Sequence, residues 1–241
     1  MSWCNWTISK KTCLSGNLPL GLKRESMLVK GGMPMVKKVA IFDLESVLLD
    51  AEFLPLLAER FNKSKLVHEI TIRGLRGEIK WEEGLQQRID VLKGADYKTA
   101  LEVANSMPYM KGAHEVCSEL KRRGYVLIGV TGGFTIFSER VKKELGLDYL
   151  FTNKLVFNNG GLSGIEPLTV MSDRVVGLEE LLVKMKVKKD DVLAVVDGAN
   201  DMKLFRYARL RVAFNAQPIV KEVANVIIDE KDLTKILNYV N

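Results

Sequence analysis

From Val36 onward the chain alternates short apolar runs with amphipathic stretches. Val39-Ala40-Ile41-Phe42 is apolar throughout and ends at Asp43, which predicts a buried strand. Residues 52–108 predict several helices with polar interruptions. Examples are Phe53–Phe61 and Trp81–Leu92, where Leu85, Ile89 and Leu92 recur at helical spacing. Ala113–Arg123 predicts a helix stopped by Gly124. Val126–Val130 predicts a strand running into Thr131-Gly132-Gly133, and Phe137–Leu145 a helix. Leu155–Phe157 and Leu162 flank Asn158-Asn159-Gly160-Gly161, a strong hairpin signal. Val175–Met185 predicts a helix and Val192–Val196 a strand ending at Asp197. A helix near Met202–Tyr207, the run Leu210–Ala213, a helix near Val220, the run Val226–Ile228 and a helix over Leu233–Tyr239 complete the pattern.

Strands alternating with helices imply an α/β fold with a doubly wound, mostly parallel sheet. Ligands of such sheets bind beyond the carboxyl ends of the strands. Those ends carry Asp43, Thr131 and Asp197, so three polar groups distant in sequence are expected at one edge. The expected organisation is a core of residues 36–51 and 109–241, with 52–108 inserted over that edge as a small helical cap.

Composition narrows the picture. Of 241 residues, 47% are hydrophobic and 27% charged, which excludes a disordered or low-complexity chain. The net charge of +6 invites a polyanionic partner. Yet residues 1–38 hold seven Lys and Arg against the single acid Glu25, so they account for the whole +6. Residues 1–35 read as a basic N-terminal extension, punctuated by Gly and Pro, either disordered or lying upstream of a true start near Met33 or Met35. No nucleic-acid partner is expected. Three cysteines make no disulfide framework, and Cys117 reads as a core residue. His68 and His114 are too few and too far apart for a zinc site. No apolar run long enough to span a membrane occurs, and a cytoplasmic protein, monomeric or homodimeric, is expected.

Three motifs carry the candidate chemistry: Phe42-Asp43-Leu44-Glu45-Ser46-Val47, Val130-Thr131-Gly132-Gly133-Phe134 and Asp197-Gly198-Ala199-Asn200-Asp201. Each alone is compatible with a cap or a turn. In this order, each at a strand end, they resemble the haloacid dehalogenase-like superfamily, and within it the phosphoserine phosphatase family. The resemblance extends over roughly 37–241 and includes Leu147-Asp148-Tyr149, Glu52 and Arg88.

The resemblance implies a Rossmann-like core and cleavage of a small phosphorylated amino acid, O-phosphoserine foremost, in serine biosynthesis. Asp43 would be the nucleophile, forming an aspartyl-phosphate. Glu45 would be general acid and then general base. Mg²⁺ would be held by Asp43, the Glu45 carbonyl and Asp197, with Asp201 orienting a bound water and Asn200 positioning its neighbours. Thr131 and the Gly132 N–H would bind phosphoryl oxygens. Glu52 would meet the substrate ammonium and Arg88 its carboxylate, and Trp81 would close the cap.

Four positions depart from the family pattern. Glu45 replaces an Asp; some relatives with Glu are linked to phosphotransfer onto homoserine. Thr131 replaces Ser and Val196 a Gly. Val176 stands where the family has a lysine that ties the nucleophile to the phosphate. Arg174 is the candidate replacement, since guanidinium binds phosphate well. The alternatives to a hydrolase are a phosphotransferase acting on a small alcohol and a relative that binds a phospho-ligand without efficient turnover.

Overall fold

The computed structural model describes residues 38–240. The expected extension over 1–35 lies outside them. Among the described residues are eight strands and eight α-helices, with 3-10 turns between some of them. Strands β1 (Lys38–Asp43), β2 (Tyr125–Phe134), β3 (Tyr149–Asn153), β6 (Val192–Val196), β7 (Leu210–Phe214) and β8 (Val226–Ile228) form one sheet. Its order is β3-β2-β1-β6-β7-β8, and every pairing is parallel. The remaining strands, β4 (Leu155–Asn158) and β5 (Gly161–Ile165), form the expected antiparallel hairpin.

The apolar runs exist because both faces of the sheet are covered. Val39 and Ile41 pack on one face with Ile128, Val130, Ala194 and Val196. Ala40 and Phe42 pack on the other with Leu127, Leu193 and Val195. The first face is covered by α7 (Leu178–Lys184) and α8 (Pro218–Val223), through Leu178, Leu182 and Val220. The second is covered by α5 (Ala113–Arg122) and α6 (Thr135–Leu145), through Val116, Leu120, Phe137 and Val141.

The chain runs outward from β1 through β2 to β3, then returns to the other side of β1 with β6. The reversal of strand order therefore lies between β1 and β6, where a parallel sheet opens a crevice at its carboxyl edge. Asp43 ends β1 and Asp197 follows β6, so the two flank this crevice.

Four helices intervene between β1 and α5: α1 (Phe53–Arg60), α2 (Ser64–Leu75), α3 (Trp81–Val91) and α4 (Tyr97–Ser106). The insertion leaves and returns through one neck. Asp50 N–H donates to the Pro108 carbonyl at 2.9 Å, and Met110 N–H to the Leu48 carbonyl at 3.0 Å. Its apolar residues are continuous with those of the core: Phe53, Leu57, Leu85 and Ile89 share a cluster with Phe134 and Phe137.

The structure corrects four details. Strand β3 was not anticipated. Strand β2 continues through Thr131-Gly132-Gly133 to Phe134, with a register irregularity against β3. Helix α7 starts at Leu178, not Val175, because Val175 bridges to Val170 and Gly177 turns with φ 83°. Residues Ala199–Arg206 and Leu233–Tyr239 wind as 3-10 helices. Cys117 is buried in the core, and burial pushes its thiol up to about 12, so it is inert. No helix among the described residues is long and apolar enough to cross a membrane.

Candidate active site

The chain turns sharply after β1. Ser46 adopts φ 59°, and Leu49 N–H returns to the Leu44 carbonyl at 2.8 Å. This turn keeps Asp43 and Glu45 at the crevice. Asp43 is buried, and one of its oxygens accepts Leu44 N–H at 2.7 Å. The carboxylates of Asp43, Asp197 and Asp201 approach within 4.8 Å of one another, close enough to share one metal ion.

Electrostatics sharpen this. Burial first, then the charges of Asp201, Asp197 and Glu45, push Asp43 well above the usual carboxylate range. Asp197 is pushed up to about 7, by burial and then by Glu52 and Asp201. Such a cluster holds its charge only with a cation nearby. Hard oxygen donors at this separation fit a hard divalent ion.

Glu45 is held between both halves of the molecule. Its Oε1 accepts Phe53 N–H at the start of α1 at 2.7 Å, and its Oε2 faces Thr131 Oγ1 at 3.4 Å. Desolvation, then Glu52, push it up to about 8, while Phe53 N–H, Arg88 and Thr131 oppose the shift. The shift favours its protonated form, the form that can donate a proton.

Thr131, Gly132 and Gly133 run beneath these carboxylates. A Cβ on Gly133 would lie 2.3 Å from Glu45 Oε2, and one on Gly132 2.5 Å from Trp81 Cζ2. Glycine at both positions is a packing requirement. Trp81, first residue of α3, thus lies directly against the Thr131-Gly132 segment. Buried Asn153 fixes this segment from below. Its amide donates to the Gly132 and Val170 carbonyls, both at 3.0 Å, and its Oδ1 accepts Thr169 N–H at 2.9 Å.

Glu52 and Arg88 face the same cavity of about 730 Å³, together with Asp43, Glu45, Thr131 and Asp197. Ser46 Oγ donates to Glu52 Oε1 at 2.6 Å. Glu52, open to the cavity but hemmed in by protein, is raised by desolvation, against the pull of Ser46 and Arg88. The Arg88 guanidinium donates to the Gly84 carbonyl at 3.2 Å and is lowered by desolvation, against Glu45 and Glu52. Glu82 on α3 accepts both the N–H and the hydroxyl of Ser172, at 2.8 and 2.7 Å, fastening the insertion to the 169–177 loop.

The structure brings together Asp43, Glu45, Glu52, Trp81, Arg88, Thr131, Gly132, Asp197, Asn200 and Asp201 around this cavity. It does not bring Arg174. The Met171 N–H bond to the Arg174 carbonyl closes a tight turn. The Arg174 side chain is 63% exposed, with Asp173 at 3.7 Å, and lies outside the cavity lining. Sequence reasoning also missed Asn153, Ser172 and Lys203. Lys203 is buried, its Nζ 2.9 Å from Asp201 Oδ1 and 2.6 Å from the Asn200 carbonyl. Asn200 in turn donates through its side-chain amide to Asp201 Oδ2.

Comparison with known proteins agrees with this arrangement. Residues 37–209 match the family model for haloacid dehalogenase-like hydrolases. The chain is 35% identical over 210 residues to the phosphoserine phosphatase of Methanocaldococcus jannaschii, covering 86% of this chain and all of that one. It is 36% identical over 202 residues to that of Wolinella succinogenes, covering 83% and 98%. A solved phospho-aspartyl intermediate analogue of phosphoserine phosphatase superposes with a TM-score of 0.80 at 35% identity, covering 85% of this chain and 99% of the other. A substrate-bound phosphoserine phosphatase complex gives 0.80 at 33% identity, covering 85% and 99%. With matches of this extent and a site of this geometry, the chain belongs to the haloacid dehalogenase-like hydrolases and, within them, to the phosphoserine phosphatase family of enzymes.

Proposed function

We propose that the protein is a Mg²⁺-dependent phosphomonoesterase that converts O-phosphoserine to serine and phosphate through an aspartyl-phosphate on Asp43. The observation that carries this is the convergence of Asp43, Asp197 and Asp201 within 4.8 Å, beside a Glu45 carboxyl that bridges the start of α1 and Thr131. The phospho-aspartyl analogue and the substrate complex of similar proteins point the same way.

In this account Asp43 and Asp197, with the Glu45 carbonyl, would hold Mg²⁺, with Asp201 beside them. The ion, when bound, supplies the positive charge that ionises these carboxylates and neutralises the phosphoryl oxygens. The hydroxyl of Thr131 and the N–H of Gly132 hold the phosphoryl group beside Asp43. The Asp43 carboxylate attacks phosphorus, the phosphorus–oxygen ester bond breaks, and Glu45 gives its proton to the departing serine oxygen. Glu45, now a carboxylate, takes a proton from the water that attacks phospho-Asp43, which returns Asp43 and releases phosphate. Phe53 N–H holds Glu45 in line for both transfers. Glu52 and Arg88, on the wall of the same cavity, offer opposite charges to the ammonium and carboxylate of the substrate.

Phosphate release from O-phosphoserine, O-phosphothreonine and a simple alkyl phosphate, with and without Mg²⁺, tests this. Preference for phosphoserine is expected to require both Glu52 and Arg88. A Glu52→Gln, Arg88→Met enzyme that keeps the same preference would overturn the substrate assignment. Adding homoserine should leave the yield of free phosphate unchanged; its phosphorylation would favour a phosphotransferase.

A further inference from the structure

Neither Val176 nor Arg174 brings a positive charge to the acidic edge. Val176 is apolar and 56% exposed. Arg174 lies outside the cavity. Lys203 is the one lysine buried among the described residues, its side chain 3% exposed. Burying an ammonium costs several kcal/mol unless it is paired and hydrogen-bonded. Here both conditions hold: two of its three donors reach Asp201 Oδ1 and the Asn200 carbonyl.

These partners are not incidental. Asp201 belongs to the carboxylate trio, and Lys203 and Asn200 together occupy both of its oxygens. On the cavity wall Glu82 is lowered, against desolvation, chiefly by its bonds from Ser172, and Lys203 adds a smaller pull in the same direction. The lysine follows β6, on the 3-10 segment Ala199–Arg206, while Val176 precedes β6 just before α7.

On the phosphatase reading, we propose that Lys203 is the relocated fixed cation of the phosphoryl site. It approaches from the segment after β6, because the position before α7 carries Val176. Lys203 does not line the cavity, so it is a positioning residue. It pins Asp201 and the Asn200 carbonyl, and it offsets one carboxylate charge where a phosphate dianion must enter.

The test uses the full chain with Mg²⁺ and two readouts: kcat/KM for O-phosphoserine and the inhibition constant of inorganic phosphate. Lys203→Met is expected to lower kcat/KM by about 10²–10³-fold and to weaken phosphate inhibition about tenfold or more. Val176→Lys alone should change kcat/KM less than about threefold, because the charge is already present. Lys203→Met with Val176→Lys should recover about tenfold or more of the loss, since the charge then arrives from the other side.

Lys203→Met within about tenfold of wild type would overturn the proposal, as would a double variant that recovers nothing. So would a Val176→Lys enzyme at or above about threefold the wild-type value, because the cation would then have been missing. This last arm decides the matter even if Lys203→Met fails to fold. A wild type that releases no phosphate would instead refute the phosphatase reading. Lys203 would then be tested by calorimetry with inorganic phosphate, where the same tenfold weakening is required.

Discussion

Glu45→Gln isolates the proton that the mechanism needs. The amide is close in shape to the acid, and its oxygen can still accept Phe53 N–H, which Glu45 Oε1 does at 2.7 Å. Position is therefore kept and the transferable proton is lost. The cost falls on leaving-group protonation and water activation, each a proton transfer of about 10²–10⁴-fold, or about 3–5 kcal/mol. With O-phosphoserine, whose alkoxide leaves poorly, the variant should lose turnover in that range and show no burst. With p-nitrophenyl phosphate the first step needs no acid, while the second still needs a base. Stopped-flow absorbance should then record one equivalent of nitrophenolate in a burst, followed by slow turnover. Turnover of O-phosphoserine within about fivefold of wild type, or p-nitrophenyl phosphate turning over slowly without a burst, would refute these roles.

Other outcomes follow from the same geometry. Gly132→Ala places a methyl 2.5 Å from Trp81 Cζ2, so it should displace the insertion, raise KM and cost about 1–3 kcal/mol in thermal or denaturant unfolding. Arg174→Ala should leave kcat/KM within about twofold, as for an exposed side chain far from special features. Asp232 accepts bonds from Lys111 Nζ at 2.7 Å and from Thr234, which lower it to about 2 from 3.8. Because the folded value is depressed, its contribution is complete above pH 3.8 and is lost as pH falls toward 2. Acid titration of stability should therefore show a shallower fall in Asp232→Asn than in wild type.

The legible part of the fold is the part buried on both faces. β1, β6 and the first half of β2 read as apolar runs, and each leads to a polar residue at the crevice. β3 lies at the sheet edge with Tyr149 40% exposed, so its residues form no clean run. The extension of β2 through Thr131-Gly132-Gly133 was hidden because glycines ordinarily mark a turn. Here they mark close approach by Trp81 and Glu45.

Site chemistry was legible at strand ends and, through the family resemblance, at Glu52, Trp81 and Arg88 of the insertion; it was illegible at Arg174, Lys203 and Asn153. Arg174 stood near Val176 in sequence, but the turn at 171–174 carries it to solvent. Lys203, between Met202 and Leu204, reads as any surface lysine of a short helix. In the 3-10 winding its ammonium returns to the Asn200 carbonyl and Asp201, and the side chain is buried. Asn153 gave the faintest signal, an amide ending Tyr149–Asn153, and its five side-chain bonds join β2 to the distant segment at Thr169 and Val170.

The most direct test is to find the covalent intermediate. Enzyme mixed with Mg²⁺ and O-phosphoserine, quenched in acid within one turnover and digested, should carry phosphate on the peptide that contains Asp43. Asp43→Asn should carry none and release no phosphate. Continued turnover without phosphate on Asp43, or with Asn in its place, would contradict the account.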